Sequence, residues 1–187
     1  MKKLILIACL ALFINTIQAQ FKLTAGGFRD IKDETKDYIV IDVPENTQEQ
    51  LFQRTKMYLQ SLYNNPNLVS SEVRNEQIVI DAIDGTDMRV MINAAGSNVW
   101  NFEYKYMFQF RDNKVKVTPY YKRLVSKFDN GAVELVGVAI MGNATGLFNS
   151  KGKCIREKAT TRVEESVNSF FADYFDMIQS QQKQEEW

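Results

Sequence analysis

The chain has 187 residues, with 23 basic and 23 acidic side chains, 12% aromatic residues and no histidine. Balanced charge without a basic block excludes a dense phosphate-neutralising surface, so no nucleic-acid partner is expected. Without histidine neither a Ser-His-Asp nor a Cys-His constellation can form, and the commonest metal ligand is missing.

Met1-Lys2-Lys3, the apolar run Leu4 to Ile14 and Asn15-Thr16-Ile17-Gln18-Ala19-Gln20 read as the charged, apolar and small-residue regions of a secretory signal peptide, with cleavage expected after Ala19. Leu6-Ile7-Ala8-Cys9 also fits the residue types before an acylated cysteine. That cut would leave Leu10-Ala11-Leu12-Phe13-Ile14 stranded beyond it, so the first reading is preferred and the expected destination is the periplasm or the exterior. Loss of Lys2 and Lys3 takes the net charge to about −2. Cys154 is then left without an intramolecular disulfide partner, and no later apolar run approaches the ~20 residues of a membrane span.

Residues 20–36 mix Gly26-Gly27 with charges and show no period, which predicts a flexible leader. A first strand follows at Asp37 to Val43, with Ile39, Ile41 and Val43 on one face and Pro44 ending the pairing. Thr47 and Gln50 make a capping box. Behind it Leu51, Phe52, Thr55, Tyr58, Leu59, Leu62 and Tyr63 recur at helical spacing, and Asn64-Asn65-Pro66-Asn67 stops the helix.

Five strands are then expected at roughly 68–74, 77–83, 87–93, 99–110 and 114–123. Turns at Asn75-Glu76, Asp84-Gly85, Asn93 to Asn98 and Asp112-Asn113 join them. In the longest, Trp100, Phe102, Tyr104, Tyr106, Phe108 and Phe110 share one face, with Asn101, Glu103, Lys105 and Gln109 on the other. Pro119 belongs near an edge or bulge because it cannot donate to a ladder. Residues 124–148 hold a further hairpin about Asp129-Asn130-Gly131, weakened by Gly137, Gly142 and Gly146. Asn149 to Lys153 reads as a surface loop. Thr161 with Glu164 predicts a second capping box, opening a helix whose stripe is Val163, Val167, Phe170, Phe171, Tyr174 and Ile178. Gln179 to Trp187 is a polar tail expected to fray.

The order strand, helix, antiparallel strands, C-terminal helix resembles a family of secreted Bacteroidota proteins known as a domain of unknown function with a TBP-like fold. The matching residues are Tyr38-Ile39-Val40-Ile41-Asp42-Val43-Pro44, the helix through Leu51-Phe52-Gln53-Arg54, the aromatic strand, and Leu147-Phe148-Asn149-Ser150-Lys151-Gly152-Lys153. The resemblance implies a fold and brings no catalytic or ligand residues with it.

Each candidate site has a plainer structural explanation. The six aromatic side chains, at ~150–250 Å² each and ~25 cal/mol per Å², offer roughly 20–35 kcal/mol of gross burial, an upper bound that suits a core better than a binding platform. Asp81, Asp84, Gly85 and Asp87 lack calcium-loop spacing and suit an Asp-Gly hairpin. Cys154 has cationic neighbours in Lys151, Lys153 and Arg156 but no base. Glu164-Glu165 suits the first turn of a helix. Lys114, Lys116, Lys122 and Arg123 form either a contact patch for an acidic partner or the guard row of an edge strand.

The sequence therefore predicts a signal peptide over 1–19, a leader over 20–36, one α+β domain over 37–180 and a tail over 181–187. The domain should be an antiparallel sheet of about five or six strands, with two helices packed on its aromatic face. No residue qualifies as catalytic, cofactor-binding or metal-binding. The expected function is a non-catalytic secreted or envelope-associated binding module for a protein or glycan. The alternative is a carrier holding a small apolar ligand between the sheet and the C-terminal helix, and a third option is a hydrolase working with Asp, Tyr or Ser.

Overall fold

Alternation of apolar and polar residues along Ile78 to Phe110 builds the centre of the molecule, and everything else is placed by what must cover one side of it. A computed structural model describes residues 20–65, 69–93, 96–127, 131–137, 139–140 and 143–180. The predicted signal peptide, the predicted tail and several turn residues, among them Pro66, Asn67 and Asn130, lie outside the described residues.

Among the described residues the strands are β1 (Phe21–Thr24), β2 (Gly27–Asp30), β3 (Ile39–Asp42), β4 (Ser70–Val73), β5 (Gln77–Asn93), β6 (Gly96–Arg111), β7 (Lys114–Ser126), β8 (Ala132–Val136), β9 (Ala139–Ile140), β10 (Asn143–Ala144) and β11 (Gly146–Phe148). The helices are α1 (Gln48–Leu62) and α2 (Glu157–Ser180). The main sheet has seven strands among the described residues, in the order β11-β8-β7-β6-β5-β4, with β3 also paired to β7. It is one or two strands wider than expected, and β11 runs parallel to β8. The other pairings within this sheet are antiparallel.

α1 begins as the capping box predicts. Thr47 Oγ1 accepts from the Gln50 N–H at 3.2 Å, and Gln50 Oε1 accepts from the Thr47 N–H at 2.8 Å. Leu51, Phe52, Thr55 and Leu59 are buried, whereas Leu62 is 48% exposed at the end of the stripe. Arg54 is buried as well, because Asn46, a buried residue of the loop that leads into α1, accepts from its guanidinium.

α2 departs from the expected start. It opens at Glu157, four residues before Thr161, because Ile155 donates its N–H to the Leu147 carbonyl at 2.9 Å and the chain leaves that bridge directly into the helix. Glu164 is therefore not a capping residue, and Glu165 pairs with Arg162 at 3.0 Å on the surface. The apolar stripe lies where its spacing puts it: Val163, Val167, Phe171, Tyr174 and Ile178 are fully buried.

Three further corrections concern strands. The expected leader is a folded hairpin, β1-β2, with Phe21, Leu23 and Phe28 each at most 2% exposed. Its apolar alternation is too short to register as a strand, and the groups that hold it come from α2, more than 140 residues away. Asp84-Gly85 is not a hairpin turn. β5 runs straight through it, and between the pairs Asp84↔Phe102 and Met88↔Trp100 it takes four steps to β6's two, a bulge that glycine accommodates. Finally, β7 is not an edge strand, since β6 flanks one side and β3 and β8 the other.

Two turn predictions are met by the backbone. Asn75 and Asn113 have φ of 61° and 63°, the left-handed conformation that asparagine tolerates in short hairpins. Pro119 lies opposite Tyr106, beyond the last β3 pair at Val117 and before the first β8 pair at Leu124, where β7 needs no outer ladder donor. The hairpin about Gly131 also forms, with Ser126 donating its N–H to the Gly131 carbonyl at 2.9 Å. Gly137 and Gly146 mark a place where the two backbones touch, so close that a Cβ on either would overlap the other.

Candidate functional site

The sheet has two unlike faces. On one, Trp100, Phe102, Tyr104, Tyr106, Phe108 and Phe110 are all less than 10% exposed, so the aromatic stripe is core. α2 lays Phe170, Phe171 and Tyr174 on it: Tyr106 lies 4.7 Å from Phe170 and 5.0 Å from Phe171 between ring centroids, and Phe108 lies 5.0 Å from Tyr174. α1 adds Phe52 against Phe110 at 5.6 Å. The β1-β2 hairpin completes the layer through Phe21, 5.4 Å from Phe171. These rings occupy the space that a carrier of apolar ligands would have to leave open.

Three phenols in this layer are hydrogen-bonded. Thr55 Oγ1 and the Tyr174 hydroxyl are 2.7 Å apart, and the hydroxyls of Tyr63 and Tyr104 are 3.0 Å apart. Burial pushes Tyr63, Tyr104, Tyr106 and Tyr174 above the ordinary phenol range, which keeps them neutral. At one end of the layer a cavity of about 320 Å³ opens between Tyr104, Tyr106 and Phe170, with Asp84, Asp173, Ser166 and Ser169 on its walls. Its two carboxylates make it unsuited to an apolar ligand.

The other face carries neither α1, α2 nor the β1-β2 hairpin. Strand register orders it into rows. At one end lie Asp42, Lys114 and Arg111, and next to them Val40, Lys116, Gln109 and Gln77. Thr118, Met107 and Val79 follow, then Tyr120, Lys105 and Asp81, then Arg123, Glu103 and Ile83. Val40, Val73, Ile83 and Tyr120 are 39–57% exposed on this face. The side chains flanking the aromatic stripe, Asn101, Glu103, Lys105, Met107 and Gln109, are half-buried between neighbouring strands.

This geometry divides the cationic row of β7. A bulge at Lys122, between the pairs Glu103↔Arg123 and Tyr104↔Tyr121, turns the far half of the strand. Lys122 there meets Asp81 at 2.7 Å and Arg123 meets Glu103 at 2.8 Å, so both are neutralised. Lys114 and Lys116 instead join Arg111 of β6, which the row in the sequence does not contain. These three line a concavity of about 630 Å³ at the end of the sheet, together with Tyr38, Val40, Gln109 and Phe110, Gln48 of α1, and one carboxylate, Glu76. Lys116 Nζ sits 5.0 Å from the centre of the Tyr38 ring.

The remaining candidates do not converge. Asp81 points to the open face and its Lys122 partner, while Asp84 accepts from Ser166 at 2.8 Å on the helix side. The two carboxylates therefore cannot share a cation. The side chain of Asp87 lies outside the described residues. Cys154 is half-buried, with its Sγ 3.3 Å from Thr160 Oγ1. Glu164 does something the sequence did not signal, accepting from the Leu23 N–H at 2.7 Å.

A mostly antiparallel sheet with two helices among the described residues on one side and a bare face on the other defines an α+β, TBP-like architecture. Residues 38–120 match the family described as a domain of unknown function (DUF4468) with TBP-like fold. Among solved structures, a TBP-like protein from Parabacteroides distasonis is similar over 76% of this chain and 90% of its own, at 13% identity and a TM-score of 0.54. A DUF4468 family protein from Bacteroides ovatus is similar over 75% of this chain and 81% of its own, at 13% identity and a TM-score of 0.45. A search of curated proteins finds no match.

Proposed function

We propose that the chain is a non-catalytic binding module, secreted or associated with the cell envelope, that engages a protein or glycan partner through the open face of its sheet. The observation that carries this reading is the segregation of the covering elements. α1, α2 and the β1-β2 hairpin all pack on the aromatic face, and the opposite face keeps Val40, Val73, Ile83 and Tyr120 in water. Exposed apolar side chains on one face, set among charged residues, are characteristic of a contact surface. The export half of the reading rests on residues 1–19.

A photoreactive amino acid placed at Ile83 or Tyr120, and separately at Met57 on the outer side of α1, tests the surface in envelope preparations of the source cell. The open-face positions are expected to give a discrete crosslinked product that excess unlabelled protein competes away, while the Ile83→Glu/Tyr120→Glu variant does not compete. Silence at both open-face positions, or equal capture from Met57, would overturn the reading.

A further inference from the structure

We propose that the basic end of the open face, formed by Arg111, Lys114 and Lys116, docks an extended acidic peptide segment of a partner protein. This rests on the open face being the contact surface, and adds the chemistry of what it contacts.

The first argument is local charge. The chain as a whole is balanced, with 23 cationic and 23 anionic residues, yet three cations gather around one concavity of about 630 Å³. Glu76 is the one carboxylate among the residues that line it. Asp42 approaches Lys114 only to 3.6 Å, with both side chains more than half exposed, which makes a weak, solvent-screened pair. Arg111 and Lys116 meet no carboxylate among the described residues. Six residues further along β7 from Lys116, Lys122 and Arg123 are satisfied by Asp81 and Glu103 at 2.7 and 2.8 Å, so the far half of the face has its cations neutralised.

The second argument is spacing. Lys114 and Lys116 are same-face neighbours on one strand, about 7 Å apart at ~3.4 Å per residue. An extended peptide presents its own alternate side chains at that repeat, so carboxylates at i and i+2 meet both lysines. Arg111 lies across the hairpin from Lys114, about 5 Å away in the ladder direction, where its planar guanidinium can take a carboxylate at two points. Between these cations the exposed Val40 and the Tyr38 ring provide apolar contact for the stems of the acidic side chains. The concavity falls in the ~300–1,000 Å³ range of specific ligand pockets, enough for several side chains rather than one small anion.

Fluorescence anisotropy with the purified chain and a labelled ten-residue peptide of alternating Glu and Ser tests this. Saturable binding that weakens with added salt is expected, with none for the Gln-Ser counterpart. Arg111→Gln/Lys114→Gln/Lys116→Gln should weaken binding at least tenfold, and Lys122→Gln/Arg123→Gln, which removes charge from the same face, less than twofold. The single variant Arg111→Glu serves if circular dichroism shows the triple variant misfolded. Absence of binding by the unaltered chain, or equal loss in both multiple variants, would overturn the inference. So would tighter binding of oligogalacturonate, a single-stranded oligonucleotide or phosphatidylglycerol vesicles than of the Glu peptide. Failure here with the Tyr120 crosslink intact removes the acidic-peptide chemistry and leaves the open-face reading; loss of both removes both.

Discussion

Asn168 holds both backbone polar groups of Phe21. Its Oδ1 accepts from the Phe21 N–H at 2.7 Å, and its Nδ2 donates to the Phe21 carbonyl at 3.0 Å. One helical turn earlier, Glu164 accepts from the Leu23 N–H, so α2 serves β1 as a substitute strand edge. Asn168→Ala should cost about 1–3 kcal/mol by leaving these groups unpaired. A lowered urea midpoint, with faster amide exchange confined chiefly to residues 21–30, would be the signature. Unchanged exchange at Phe21 and Leu23 would contradict it.

The contact of Gly137 with Gly146 admits no side chain on either residue, because an added Cβ would overlap the facing backbone. Gly137→Ala and Gly146→Ala should each destabilise by about 3 kcal/mol or more, as overpacking with no flexible neighbour to yield. Gly27 is the contrast. It has φ of 96° and nothing near its missing Cβ, so Gly27→Ala should cost only the backbone penalty of about 1–2 kcal/mol. Denaturant midpoints of the three variants should fall in that order.

Thr55 and Tyr174 share a buried hydrogen bond at 2.7 Å between α1 and α2. Thr55→Val strands the phenol and should cost about 1–3 kcal/mol. Adding Tyr174→Phe removes the stranded group, so the double variant should be less destabilised than the sum of the singles. Additive single effects in a double-mutant cycle would show the pair uncoupled.

Alkaline conditions should unfold the protein through its phenols. Burial, with Asp173 adding repulsion, pushes Tyr58 up to about 12, and burial holds Tyr106 and Tyr174 well above the ordinary value of about 10. An acid whose folded value is raised contributes stability that is complete below the unfolded value. That contribution is lost as the pH rises through the folded value, because over this interval the unfolded chain binds fewer protons. Stability should therefore be flat up to about pH 10 and fall above it. Phenolate absorbance should then rise in two parts, exposed tyrosines first and the buried ones only with the loss of the circular dichroism signal. Release of all eight tyrosines near pH 10 with the fold intact would contradict this.

What the sequence alone determined follows from interactions within a few residues. Period-two aromatics put Trp100 to Phe110 on the core face, Thr47 and Gln50 capped α1, and Asn75 and Asn113 turned the hairpins, because each of these is a local matter of side-chain direction or backbone conformation. What only the tertiary structure decided depends on partners far along the chain. β1 is a strand because Asn168 and Glu164 complete its edge. α2 starts early because Ile155 is held by Leu147, and Gly137 is glycine because Gly146 passes against it. The cationic row of β7 was visible in the sequence, but the bulge at Lys122 split it: Lys122 and Arg123 pair with Asp81 and Glu103, while Lys114 and Lys116 line a concavity with Arg111. Charges read along one strand cannot reveal which of them a neighbouring strand will neutralise, and that cross-strand accounting locates the candidate site.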